Sequence, residues 1–165
     1  MDELDVRIVK LEPLFVASVL GFGKEPEGIA HQKLQAFAKP RGYLDDPKNH
    51  RIFGFNNPNP SVGSPNYGYE LWIEVAPGTQ TDGEVTIRSF PGGLYAVARC
   101  VIKDGSPYDL IPQTWHKLVA WREKSAYKGA EHQWLEEQIS PEEAGISLDV
   151  SKGEFILDLY LPIRK

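Results

Sequence analysis

The sequence predicts an α+β fold made of two β-α-β-β units with pseudo-twofold symmetry, antiparallel sheet and two main helices. Three stretches carry that prediction, because each occurs twice and in the same order. Leu34-Gln35-Ala36-Phe37-Ala38-Lys39-Pro40-Arg41-Gly42-Tyr43 lines up without gaps on Leu118-Val119-Ala120-Trp121-Arg122-Glu123-Lys124-Ser125-Ala126-Tyr127. Upstream, Leu14-Phe15-Val16-Ala17 matches Leu94-Tyr95-Ala96-Val97, the first just after Pro13, the second after Pro91 and two extra glycines. Downstream, Gly68-Tyr69-Glu70-Leu71-Trp72-Ile73 matches Ile156-Leu157-Asp158-Leu159-Tyr160-Leu161. One such match is within chance; three in register indicate a duplication. The repeats span about 5–77 and 84–165 of a single domain covering 1–165, a length suited to one core.

Each half then reads as β-α-β-β. Residues 6–21 and 84–102 are rich in Val, Ile, Leu, Phe and Tyr and are predicted as strands, with Pro91-Gly92-Gly93 marking a bend in the second. Helix one is predicted from about Glu25 to Lys39. Its apolar set Ile29, Ala30, Leu34, Phe37 and Ala38 has helical spacing, and Pro40 and Gly42 end it. Helix two runs from about Pro107 to Ser125, with Ser106 as cap and Pro107 in the first helical position. Pro112 is close enough to that start to be tolerated. The strands that close each half alternate: Tyr69, Leu71, Ile73 and Val75 against Glu70, Trp72 and Glu74, then Leu157, Leu159, Leu161 and Ile163 against Asp158, Tyr160 and Pro162. Asn56–Asn66, with three prolines and a glycine, is a loop, and so is Pro77–Gly83. Packing the two halves together leaves a groove along the symmetry axis, a natural place for a ligand.

Composition narrows the function. No apolar run approaches the length needed to span a bilayer, and the start Met1-Asp2-Glu3-Leu4-Asp5 lacks the basic-then-apolar order of a signal peptide. The expected location is therefore the cytoplasm. A net charge of −5 argues against a nucleic-acid partner and is compatible with cationic ligands. The lone Cys100 excludes an internal disulfide and reads as a core thiol, while His31, His50, His116 and His132 show no metal-ligand spacing. No Gly-x-Ser-x-Gly elbow and no Gly-x-Gly-x-x-Gly or Walker loop is present, and Gly21-Phe22-Gly23-Lys24 is a turn. No cofactor is expected. Four Trp, seven Tyr and seven Phe can fill a core, yet they also suit a pocket for flat organic molecules.

Several landmarks together resemble the GyrI-like small-molecule-binding family, which includes the effector domains of AraC- and MerR-type multidrug regulators. They are Tyr69-Glu70-Leu71-Trp72-Ile73, Phe90-Pro91-Gly92-Gly93-Leu94-Tyr95-Ala96-Val97, Trp115, Trp121, Ser125-Ala126-Tyr127, Trp134-Leu135-Glu136 and Leu157-Asp158-Leu159-Tyr160-Leu161-Pro162-Ile163. The resemblance covers nearly the whole chain. It implies an aromatic-lined pocket for lipophilic cations with an acidic residue at its base, supplied by a strand after the second helix; Glu136 matches that position. Two features depart from the pattern: Glu137 and Gln138 follow where the motif ends in Tyr or His, and the 56–66 loop is long. The chain starts at its first strand without room for a helix-turn-helix, so a stand-alone member is expected. Such members include gyrase inhibitors and hydrolases that open strained cyclopropane rings.

On the residues themselves, Trp134 and Glu136 fall on one strand face, with Leu135 and Glu137 on the other. A carboxylate beside an indole in a groove loses water, which disfavours its charge until a cation arrives. The plainer alternative is a solvated strand residue. Anchoring the repeat on Pro58 and Pro141 makes Phe53 the counterpart of Glu136 and Arg51 that of Trp134, so the groove would have one acidic and one apolar end. Glu70 and Asp158 recur symmetrically, which favours a shared structural task, such as meeting a backbone donor or a basic partner, over ligand contact. Trp72 and Tyr160 read equally as groove wall or core; Trp115 reads first as core. The ligand-binding set is thus Glu136, Trp134, Trp72, Tyr69, Tyr95, Tyr108, Phe53 and Trp115. An enzyme would use Glu136 as general base, with Tyr108, Tyr69 or Tyr95 polarising the leaving group. The remaining alternative is a gyrase-inhibitor-like module that binds a protein through its surface.

Overall fold

The computed structural model describes residues 4–81 and 83–165. Met1, Asp2 and Glu3 of the acidic start, and Asp82 of the second loop, lie outside the described residues. In chain order the elements are β1 (Val6–Leu11), β2 (Leu14–Gly23), α1 (Pro26–Ala38), β3 (Ile52–Asn56), β4 (Tyr67–Glu74), β5 (Thr86–Phe90), β6 (Gly93–Ile102), α2 (Pro107–Lys124), β7 (Lys128–Gly129), β8 (Leu135–Ile139), α3 (Pro141–Ala144) and β9 (Phe155–Arg164). The fold is α+β, with the strand pairs inside each of its two units antiparallel and two main helices, as expected. Both helices begin on a proline whose missing N–H costs nothing there, and the Ser106 hydroxyl caps α2 by accepting from the Tyr108 amide at 3.2 Å. No helix among the described residues is long and apolar enough to cross a membrane.

Two compact units make up the chain. The first, Pro13–Pro91, has strand order β3-β4-β2-β5. α1 covers one face of this sheet, packing Ala30, Leu34, Phe37 and Ala38 onto Ala17, Val19, Tyr69, Leu71 and Ile73. The second comprises the chain up to Glu12 together with Gly92–Lys165, and its order is β8-β9-β6-β1, with β7 also pairing with β9. α2 covers it in the same way, Leu118 resting on Ala96, Ala98, Cys100, Leu157, Leu159 and Leu161. Identical strand order under one helix is what the duplication predicts. Leu34 and Leu118 are both fully buried, and the Phe37–Tyr43 ring contact at 6.0 Å recurs as Trp121–Tyr127 at 6.1 Å.

Two expectations need correction. The single strands predicted over 6–21 and 84–102 are each broken in two, at Glu12–Pro13 and at Pro91–Gly92. Proline donates no ladder hydrogen bond. Gly92, with φ 79, lies so close to the Leu11 carbonyl that an added Cβ would sit 2.0 Å from its oxygen. The pieces then part company: β1 precedes β2 in the chain but pairs with β6, while β5 precedes β6 but pairs with β2. Each unit therefore takes its edge strand from the other half of the sequence. The second correction is register. Ala17 stands opposite Ile73, and Ala96 opposite Leu161, so Ala17 corresponds to Ala96 rather than to Val97. Both alanines face their helix, as the repeat requires.

Candidate functional site

Strand β8 carries the acidic residues, and its pairing decides where each points. Cross-strand partners share a face. Glu136 stands opposite Leu159 and Gln138 opposite Leu157, both in the core under α2, so these two side chains lie on the α2 side. Leu135, Glu137 and Ile139 point the other way and are buried. The buried carboxylate of this strand is thus Glu137, at 5% exposure, and not the half-buried Glu136.

Around Glu137 the second unit builds an aromatic and ionic cluster. The Tyr160 hydroxyl donates to Glu137 Oε1 at 2.6 Å, and Tyr160 is itself 3% exposed. Tyr95 meets Tyr160 edge to face at 5.3 Å and meets the His132 ring in the same manner at 4.8 Å. Its hydroxyl donates to the Gln133 carbonyl at 2.5 Å, while His132 Nε2 donates to the Leu94 carbonyl at 2.7 Å. Burial pushes the Tyr95 phenol well above its ordinary range, so it stays a neutral donor. Directly across from Glu137, Asp158 is held by Arg99 at 2.8 Å and Arg7 at 2.7 Å. The Asp158 hydrogen bond in turn raises the Arg99 pKa. Asp158 therefore has the basic partners expected of a structural carboxylate.

The residues singled out from sequence fall into separate places. Trp134 and Glu136 share the α2 side, where the Trp134 ring lies 5.2 Å from Trp115. Tyr95 belongs to the Glu137 cluster. Tyr108 sits in the first turn of α2 and is 87% exposed, in neither group. In the first unit, Phe53 stands opposite Trp72 on the face away from α1. Trp72 packs against Phe55 at 5.0 Å and Phe90 at 5.2 Å. Its indole N–H donates to the buried Glu70 at 2.6 Å; Ser18 and Asn57 also donate to Glu70, and Arg88 lies 3.4 Å away. Tyr69 points the opposite way, into the core under α1, with its hydroxyl over Gly54.

The proline-anchored alignment that matched Phe53 to Glu136 is one residue out. Phe53 faces Trp72 and Leu135 faces Tyr160, so Phe53 corresponds to Leu135, and Glu137, opposite Asp158, corresponds to Phe55, opposite Glu70. A slip of one position moves a side chain to the other face. The signal that would have found Glu137 was present in β9, whose polar and aromatic residues Asp158 and Tyr160 alternate against a leucine face.

Chemically, the cluster offers two buried carboxylates, Asp158 neutralised by its arginines and Glu137 bonded to a phenol, with aromatic edges beside them. Fold and site together define a small-molecule effector-binding domain of the GyrI-like type. Residues 7–163 match the family model of Cass2, the integron-associated effector binding protein, and the chain belongs to that family. No curated protein sequence matches it. Among solved structures, the EcmrR C-terminal domain is 14% identical with a TM-score of 0.68, covering 98% of both chains. EcmrR in its DNA complex gives 15% identity and a TM-score of 0.67, and there the chain spans 57% of that chain's length while 98% of this one is covered. A hydrolase from Listeria innocua is 11% identical over 99% of this chain and 94% of its own, TM-score 0.61. SAV2435 bound to tetraphenylphosphonium is 10% identical over 98% and 94%, TM-score 0.51. At such identities these four share a fold with the chain.

Proposed function

We propose that the protein binds lipophilic small molecules, cationic or aromatic, as a sequestering or sensing protein, and that Glu137 is the anchoring carboxylate. The observation that carries this reading is the buried Tyr160–Glu137 hydrogen bond of 2.6 Å beside the Tyr95 ring. A carboxylate in that setting has little water to lose when an organic cation approaches, and neighbouring ring faces add about 0.5–2 kcal/mol each. Support also comes from the effector-binding family and from SAV2435, whose bound tetraphenylphosphonium is a lipophilic cation. Titration calorimetry with tetraphenylphosphonium, using triphenylphosphine oxide as a neutral control, tests it. Glu137→Gln should weaken the cation by about tenfold or more, equivalent to about 1.4 kcal/mol, and Glu136→Gln by much less. Equal binding by wild type and Glu137→Gln would sink the assignment.

A second reading is favoured by the same contact. A hydrolase in this site needs a tyrosine within hydrogen-bond reach of its general base, and Tyr160 meets that requirement at Glu137. One structural relative is described as a hydrolase. Incubation with a cyclopropane-bearing alkylator in 18O-labelled water, followed by mass spectrometry, separates binding from turnover. A labelled ring-opened product that Glu137→Gln fails to form supports hydrolysis; intact compound supports binding alone.

A further inference from the structure

Between β7 and β8 the chain leaves the sheet. Gly129 pairs with Ile163 and Leu135 with Tyr160, so residues 130–134 run past only Leu161 and Pro162 of β9. Five residues cannot follow two in an extended ladder, and the segment becomes a strap fixed at both ends. At one end Arg164 Nε donates to the Gly129 carbonyl at 3.1 Å, and at the other Leu135 is fully buried. No residue of the strap itself is buried. Its middle is held by three contacts. The Tyr95 hydroxyl donates to the Gln133 carbonyl at 2.5 Å, and His132 Nε2 donates to the Leu94 carbonyl at 2.7 Å. The His132 ring also meets Tyr95 edge to face at 4.8 Å. Gly93 leaves room for that ring, since an added Cβ there would lie 2.7 Å from it. Trp134, 43% exposed, leans on Trp115 at 5.2 Å.

We propose that residues 130–134 are the movable cover of the Glu137 cluster, opening when His132 leaves the Leu94 carbonyl and Gln133 releases Tyr95, then closing again over the ligand. This rests on the reading of Glu137 as the anchoring carboxylate. Glu137, Tyr160 and Tyr95 are 5%, 3% and 0% exposed, so an organic molecule reaches them only if part of the protein moves. The three side chains stand on paired strands with buried apolar neighbours, which open at high cost. The strap has no buried residue, and segments of that kind open first. Its middle is attached to the same Tyr95 that packs on Tyr160 at 5.3 Å, so opening bares the cluster from the Tyr95 side. It also frees the Tyr95 hydroxyl, now spent on a backbone carbonyl. Burial holds that phenol well above its ordinary pKa, so it meets an entering molecule as a neutral donor.

The test uses the whole chain, and its first arm needs no ligand. Amide hydrogen exchange read by mass spectrometry should show 130–134 exchanging at least about tenfold faster than β9. His132→Ala should speed the strap a further five- to tenfold, about the worth of one hydrogen bond, and leave β9 unchanged. His132→Gln keeps a donor for the Leu94 carbonyl and should fall between the two; it decides the matter if His132→Ala also loosens β9. The second arm is stopped-flow tryptophan fluorescence with tetraphenylphosphonium, Trp134 being a reporter on the strap itself. Because the strap closes again over the bound molecule, His132→Ala should raise the association and dissociation rates together, about five- to tenfold, with Kd kept within about twofold. Strap exchange as slow as that of β9, or unmoved by His132→Ala, overturns the cover. So does a changed Kd at an unchanged association rate, which makes His132 a ligand contact. Absence of any tetraphenylphosphonium binding by wild type sinks the reading of Glu137 instead, and the exchange result then decides alone whether the strap opens.

Discussion

Tyr160→Phe isolates the contact on which the site reading depends. The change removes one oxygen atom and leaves the ring, so the edge-to-face packing on Tyr95 at 5.3 Å is retained. What is lost is the hydroxyl that donates to Glu137 at 2.6 Å, between groups 3% and 5% exposed. Hydrogen bonds to charged partners contribute about 1.5–3 kcal/mol, and a buried acceptor has little water available to take over. For a chain of 165 residues that loss lowers the melting temperature by about 3–10 °C. Urea unfolding followed by circular dichroism measures it, with the slope expected to stay unchanged. In a Glu137→Gln background the acceptor is a neutral amide, and the same Tyr160→Phe change should cost only about 0.5–1.5 kcal/mol. The reasoning fails if Tyr160→Phe costs under about 0.5 kcal/mol, or if its cost is the same in both backgrounds.

Two further outcomes follow from local geometry and charge. Gly21→Ala places a Cβ 2.2 Å from the Pro26 carbonyl oxygen and 2.8 Å from the Ala30 amide, so β2 must move away from α1. A loss of about 1–3 kcal/mol or more is expected from such overpacking. Gly28→Ala, where an added Cβ meets nothing within 4 Å inside the same helix, should instead stabilise by about 0.5–1 kcal/mol. Equal effects in urea unfolding would refute the close approach. His31 is held below its ordinary pKa because burial outweighs the attraction of Glu27. The unfolded chain therefore takes up this proton at a higher pH than the folded one. The contribution of His31 to stability is whole above the usual histidine range and is lost as pH falls through 6.5 towards the folded value. Wild type should lose more melting temperature than His31→Gln between about pH 8 and pH 5, and parallel curves would dismiss the effect.

The amino-acid sequence by itself determined the local elements and the duplication. Pro26 and Pro107 mark helix starts, and apolar residues at helical spacing commit α1 and α2 to cover one sheet face each. Strict alternation in 69–75 and 157–163 settles β4 and β9, because a side-chain period of two has only two faces to offer. Alternation also says that Glu136 and Glu137 point in opposite directions. It does not say which direction lies under a helix, and the family motif is what selects Glu136. Only the pairing of Glu136 with Leu159 and of Glu137 with Asp158 decides this, since those partners come from a strand some twenty residues away in the chain. The exchange of β1 and β5 between units is likewise tertiary. Pro13 and Pro91 show that a strand is interrupted, but the partner a freed segment finds depends on which sheet edge is open in space, and a linear pattern holds no record of that.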